Sequence, residues 1–133
     1  QVALRWAMEN IYNVHRESVN FATSDIGWIV GHSNIIYGPL LQGSGSVFFE
    51  GKPITPNPGG IWEKCEKYGV TMLFMAPTGV RVIKKEDYDS EWVGKYDVTK
   101  IDGFCAKVFV LQCVDLTAPA NAGYLIALFQ QAQ

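Results

Sequence analysis

The sequence carries little surplus charge of either sign: eleven lysines and arginines stand against thirteen acidic residues, a formal net charge of -2 over 133 residues. Without a basic excess there is no electrostatic footprint for a nucleic-acid backbone or an anionic bilayer, so neither partner is implied. No run reaches the roughly eighteen consecutive apolar residues of a membrane span, and the opening Gln1-Val2-Ala3-Leu4-Arg5-Trp6 lacks the basic-then-apolar pattern of an export signal. Histidine is scarce, and neither His15 nor His32 lies at a zinc-ligand spacing from Cys65, Cys105 or Cys113. Three cysteines, an odd number at wide spacings, read as partly buried thiols in a reducing compartment. No lysine follows Gly43-Ser44-Gly45-Ser46 directly, which excludes a P-loop there.

What is present is apolar bulk. With 48% hydrophobic residues the chain is long enough for one domain with a sizeable core and too short for two ordinary ones. Its densest stretch is Asp25-Ile26-Gly27-Trp28-Ile29-Val30-Gly31-His32-Ser33-Asn34-Ile35-Ile36-Tyr37-Gly38-Pro39-Leu40-Leu41, where glycines, aromatics, one histidine and one aspartate interrupt an apolar run. Glycines permit close backbone approach, while Trp28 and Tyr37 offer large rigid surfaces with polar tips. Such a segment can pack on a core and shape a pocket.

Ala3, Leu4, Ala7, Met8 and Ile11 recur at helical spacing and predict an amphipathic helix over Val2 to Ile11. The polar stretch from Asn13 is a solvated turn that includes His15, and Val19, Phe21 and Ala22 begin a short strand. Gly31 reads as a break, followed by a buried helix from Asn34 to Leu41 that Gly38-Pro39 either kinks or splits in two. Val47 to Glu50 is a strand candidate, Gly51 to Gly60 a breaker-rich loop, and Ile61 to Tyr68 a helix stopped by Gly69. Val70 to Ala76, apolar almost throughout, suits a strand covered on both faces. Pro77 ends it, Thr78 is placed to cap the next helix, and the charged run Arg81 to Asp87 is that helix's wet side. Ala106 to Leu116 looks strand-like, Thr117 to Ala120 turns, and Gly123 to Ala132 reads as a terminal helix. Alternating strands and helices predict an α/β fold, whose ligand crevices lie beyond the carboxyl ends of strands. The loops around Pro53 and around Ala76-Pro77-Thr78 are therefore better site candidates than helix interiors.

The blocks Asp25 to Ser33, Tyr37-Gly38-Pro39-Leu40, Phe49-Glu50-Gly51-Lys52-Pro53 and Phe74-Met75-Ala76-Pro77-Thr78-Gly79-Val80-Arg81, in that order, resemble the short-chain acyl-CoA synthetases, the acetyl- and propionyl-CoA synthetase group of AMP-forming adenylating enzymes. The resemblance runs from about Ala3 to Asp97, and propionyl-type members look closer. It implies part of the large amino-terminal α/β domain over residues 1–97, with a divergent tail over 98–133. It implies a parent ligase that uses ATP, Mg2+ and coenzyme A to convert a short carboxylic acid to its acyl-CoA through an acyl-adenylate, in the mitochondrial matrix or cytoplasm. Trp28, Ile29 and Val30 would form the acyl-pocket wall, with Val30 where acetate-using members usually carry threonine. Ala76, Pro77 and Thr78 would border the coenzyme A channel. Asp25, His32 and Arg81 are possible supporting residues: Asp25, costly to bury as an unpaired charge, is expected to accept backbone hydrogen bonds rather than to ligate a metal, His32 to be a structural histidine or a pocket-side group, and Arg81, which matches an arginine of the family motif, to give structural support rather than direct chemistry.

The family's Ser/Thr/Gly-rich phosphate loop, its Tyr-x-x-Thr-Gly-Asp segment and its adenylation lysine do not occur in these residues, so no catalytic residue and no metal ligand is assigned. Asn34 stands where the family commonly has an aromatic, and Gly79 where it commonly has alanine. Two readings stay open: a fragment or shortened form of such a ligase, inactive in isolation, or a non-catalytic α/β module that keeps acyl or coenzyme A affinity. A truncated sheet edge would favour association with another protein or with a second copy.

Overall fold

Strand β3, Met72–Met75, is buried along its whole length and sends alternate side chains to two different cores. Leu73 and Met75 join Phe21, Ile61, Trp62, Cys65, Val80 and Ile83 on one face; Met72 and Phe74 join Met8, Val14, Ala22 and Ile35 on the other. The computed structural model describes residues 1–106 and 113–115. Around β3 it assembles a five-stranded sheet in the order β2-β1-β3-β4-β5, where β1 is Val19–Ala22, β2 Gly45–Val47, β4 Gly103–Ala106 and β5 Cys113–Asp115. Pairings among β2, β1, β3 and β4 are parallel, and β5 returns antiparallel. Helices α4 (Gly60–Tyr68) and α5 (Pro77–Glu86) cover one face. Helix α1 (Val2–Asn10) and the helical stretch 29–42 cover the other, as the continuous apolar run of β3 requires.

The α/β expectation holds, and most elements form from local signals. Helix α4 ends where Gly69 adopts φ 60°, with Val70 N donating to the Cys65 carbonyl at 2.9 Å and Gly69 N to the Glu66 carbonyl at 3.2 Å, a Schellman closure. Burial in this helix pushes the Cys65 thiol pKa up to about 12.

Several local expectations are corrected. The chain does not break at Gly31: α2 (Ile29–Gly31) passes into a π-helical segment, His32–Tyr37, and then into α3 (Gly38–Gln42). Gly31 is instead a close-packing position, since a Cβ there would lie 2.3 Å from the Asp25 carbonyl oxygen. The π turn is explained by Pro39, which has no N–H to give the preceding turn. Gly38 N reaches back five residues to the Ser33 carbonyl, while the Asn34 carbonyl accepts from Asn20 Nδ2 and the Ile35 carbonyl from Ser46 Oγ at 2.7 Å. Side chains from β1 and β2 thus supply what the proline withholds.

Strand β2 begins earlier than expected and ends at Val47, because its parallel register pairs Gly45 to Val47 with Val19 to Phe21; Phe48 beyond it is exposed. Thr78 is not a cap. Ala76 holds the extended N-cap position at ψ 141°, Pro77 opens α5, and no side chain caps the helix. The sheet also continues past Asp97, with β4 parallel to β3. Within the expected strand-like region, residues 107–112 and 116 lie outside the described residues, as do the turn at 117–120 and the terminal helix at 123–132.

Candidate functional site

Strands β1 and β3 are neighbours, yet the chain leaves them in opposite directions, from β1 out to β2 and from β3 out to β4. Such divergence opens a crevice beyond the carboxyl ends of the two strands. Thr23 ties those ends together, its N–H donating to the Phe74 carbonyl at 2.9 Å.

A cavity of about 430 Å³ lies in this crevice, lined by Leu4, Ala7, Tyr12, Ser24, Ile29, Val30, Ser33, Asn34, Phe74 and Ala76. The size falls in the range of small-molecule sites, and the lining is apolar with a few polar groups. Helix α1 gives one wall, the start of the 29–42 helix another, and the end of β3 the floor. Phe74 is held by an edge-to-face contact with Tyr12 at 6.2 Å between centroids. Asn34 is the most buried polar group in the lining, with 6% exposure. A second, larger cleft of about 560 Å³ adjoins across Ser24 and is lined by Thr23 to Ile26, Ile35 and Phe48 to Gly51. It is the more polar of the two and lies outside both Val30 and Ala76, so the smaller cavity is the better candidate for an apolar ligand.

Of the residues singled out from sequence, Val30 and Ala76 meet in the cavity, and Ile29 sits at its rim with 77% exposure. Trp28 is not among the residues lining it: as the residue before α2 it takes an extended ψ of 154° and is 70% exposed. Pro77 and Thr78 also lie outside the lining, Pro77 half-buried and Thr78 exposed. Asp25 borders the second cleft and accepts the Gly27 N–H on Oδ1 at 2.6 Å, a local turn that leads into α2. His32 is exposed and lies edge-on to Tyr37 at 6.5 Å. Arg81 is on the exposed side of α5.

Leu4, Ala7, Tyr12, Ser24, Ser33, Asn34 and Phe74 were not singled out as site residues. The signal for Phe74 was available, because strand alternation puts it on the same face as Ala76. The apolar face of α1 was legible, but periodicity does not separate a core-facing residue from a cavity-facing one.

No three of the described histidine, cysteine, aspartate and glutamate residues come together as a metal site. No helix among the described residues is long and apolar enough to cross a membrane.

Comparison with known proteins shows the family of the chain. The family described as AMP-binding enzyme matches residues 1–113. An uncharacterized protein of Pseudomonas aeruginosa is 48% identical over 98 residues, covering 73% of this chain and 16% of that protein. The Dictyostelium discoideum protein named acyl-CoA synthetase short-chain family member B, mitochondrial, is 41% identical over 100 residues, covering 75% of this chain and 14% of that protein. The Homo sapiens protein named acyl-CoA synthetase short-chain family member 3, mitochondrial, is 43% identical over 100 residues, covering 74% and 15%. The chain thus spans 14% to 16% of the length of these relatives. With an α/β sheet, a crevice at its strand-order reversal and a family match that covers most of its length, the chain belongs to the AMP-binding enzyme family, with short-chain acyl-CoA synthetases among its relatives.

Proposed function

We propose that this chain carries the acyl-pocket part of a short-chain carboxylic acid–CoA ligase, and that the acid it holds is propionate in preference to acetate. The observation that carries the reading is the cavity beyond β1 and β3, in which Val30 and Ala76 stand together. An acid enters with its alkyl end against Val30, Phe74 and Leu4. The carboxylate stays at the open rim beside Ile29, since burying an unpaired charge among these side chains would be costly. Val30 presents a smooth branched surface where a threonine hydroxyl would favour a smaller, wetter ligand. An added methylene in such a pocket contributes about 1 to 3 kcal/mol of discrimination.

In a complete ligase, ATP and magnesium would supply a good leaving group: the carboxylate would displace pyrophosphate from ATP to form the acyl-adenylate, and the thiol of coenzyme A would then take the acyl group and release AMP. The residues of this chain do not perform that activation. Their contribution is to bind the acid, orient it and exclude water from its alkyl end. Ala76, with Pro77 and Thr78 behind it, is the side from which coenzyme A approaches. The relatives named as mitochondrial support a location in the mitochondrial matrix, with the cytoplasm as the alternative.

Two measurements test this reading. The 133-residue chain, titrated with propionate by ligand-observed NMR, should bind it saturably, and Val30→Trp should abolish the binding. The same chain supplied with propionate, ATP, magnesium and coenzyme A should release no AMP, whereas a complete ligase that contains these residues should. Propionate binding unaffected by Val30→Trp would reject the cavity, and AMP release by the isolated chain would reject the division of labour.

A further inference from the structure

Asn34 is the one lining residue whose burial has no account in the fold. It sits on the π-helical segment, faces the cavity region with 94% of its surface covered, and its backbone carbonyl is already engaged by Asn20 Nδ2. Its carboxamide, by contrast, makes no hydrogen bond among the described residues. The amide nitrogen and oxygen are not among the side-chain atoms sealed in the core; they keep access to the cavity that Asn34 lines, at a position where the family resemblance leads one to expect an aromatic ring. Asparagine in place of an aromatic ring removes volume from the cavity wall and places there an amino group that donates and a carbonyl oxygen that accepts.

Resting on the acyl-pocket reading above, we propose that Asn34 recognises a hydroxyl on the acyl chain, so that the pocket that accepts a short alkanoate holds a short hydroxy acid of the same size more tightly. The argument is one of complementarity. A hydroxyl both donates and accepts, as does a carboxamide, and the two can satisfy each other without bringing charge into the cavity. A carboxylate is the wrong partner: the lining holds no lysine or arginine to compensate a buried negative charge. The acid therefore lies with its carboxylate at the rim and its hydroxyl inward. Ser33, the adjacent residue on the same helical segment, and Ser24, at the end of β1, add two further hydroxyls to the lining. The apolar remainder, Leu4, Val30 and Phe74, covers the methylenes between.

Butyrate and 3-hydroxypropionate test this directly, because they have the same chain length and differ by a methyl in place of a hydroxyl. Each is titrated into the 133-residue chain by ligand-observed NMR. The wild-type chain should bind 3-hydroxypropionate roughly three- to tenfold more tightly than butyrate, the factor that one net neutral hydrogen bond supplies. Asn34→Leu, with the same number and branching of side-chain heavy atoms, should reverse the order while keeping butyrate binding. Asn34→Ala provides the same comparison if the leucine variant does not fold. Equal affinity for the two acids in the wild-type chain, with butyrate bound, overturns the hydroxyl assignment and leaves the acyl pocket standing. Loss of both acids in either folded Asn34 variant overturns it as well, since that would mean the amide holds the carboxylate. Absence of binding by any acid to the wild-type chain overturns the pocket reading itself, and this inference falls with it.

Discussion

Replacing Asn20 with leucine isolates the bond that lets the 29–42 helix pass through a proline. Asn20 is 2% exposed, and its Nδ2 serves the Asn34 carbonyl that no helical amide reaches in the π register. Leucine keeps the branched shape and deletes the donor, at the cost of two methyls bulkier than the amide atoms they replace. The Asn34 carbonyl is then buried without a partner, which costs about 1 to 3 kcal/mol, or roughly 4 °C of melting temperature per kcal/mol for a chain of this size. Ser46→Ala removes the neighbouring bond to the Ile35 carbonyl, but Ser46 is half-buried and water can substitute, so about 0.5 to 1 kcal/mol is expected. The decisive variant is Pro39→Ala. It restores an amide five residues beyond Asn34. Alone it should destabilise slightly, by about 0.4 to 1 kcal/mol, through the unfolded chain. Combined with Asn20→Leu it should recover part of the loss, giving a coupling of about 0.5 to 1.5 kcal/mol of opposite sign to the single effects. Urea unfolding followed by far-ultraviolet circular dichroism measures all four corners of the cycle. Additive effects within about 0.3 kcal/mol, or an Asn20→Leu change below about 0.5 kcal/mol, would refute the account of the π turn.

Other substitutions probe other parts of the structure. In a complete ligase carrying this segment, Val30→Thr should lower the ratio of kcat/KM for propionate over acetate by roughly tenfold; an unchanged or increased ratio would remove Val30 from the acyl wall. Gly69→Ala should cost about 1 to 2 kcal/mol by urea unfolding, and the cost is conformational: the nearest heavy atom to the new Cβ, Lys100 Cδ, is 3.7 Å away, an ordinary contact. The pKa of Cys65 is raised from 9.0 to about 12 in the fold, so its contribution to stability is fully present below pH 9 and is lost as pH rises towards 12. Cys65→Ala should flatten the fall in urea midpoint between pH 9 and 11, and an unchanged slope would count against it. At pH 8 the wild-type thiol should resist iodoacetamide until denaturant is added, as mass spectrometry would report.

The elements readable from sequence were those set by local chemistry. Breakers delimit the loop from Gly51 to Gly60, amphipathic spacing and Gly69 define α4, and the apolar run of β3 announces a strand with helices on both sides. What could not be read depends on distant partners. Gly31 and Pro39 look like interruptions until Asn20 and Ser46 arrive from the sheet to complete the helix between them. Thr78 has the chemistry of a cap, but Pro77 takes the first helical position and leaves Ala76 at the boundary. In the site, Val30 and Ala76 came from family blocks far apart in sequence, and only the topology of β1 and β3 brings them to one cavity. Asn34 was noticed as a departure from an aromatic; its significance needed the burial of its side chain and the engagement of its carbonyl elsewhere.

The two faces of the sheet differ in how firmly they are held. Among the described residues, thirteen buried side chains form the core under α4 and α5, against seven under α1 and the 29–42 helix. Local opening should therefore begin on the thinner side, where amide protons of the 29–42 helix exchange with solvent before those of α4. That side also forms the cavity, so an acid bound there adds apolar contact where it is scarcest. Ligand occupancy should consequently be written into the exchange rates of one layer of the molecule, slowing the 29–42 amides and leaving α4 almost untouched.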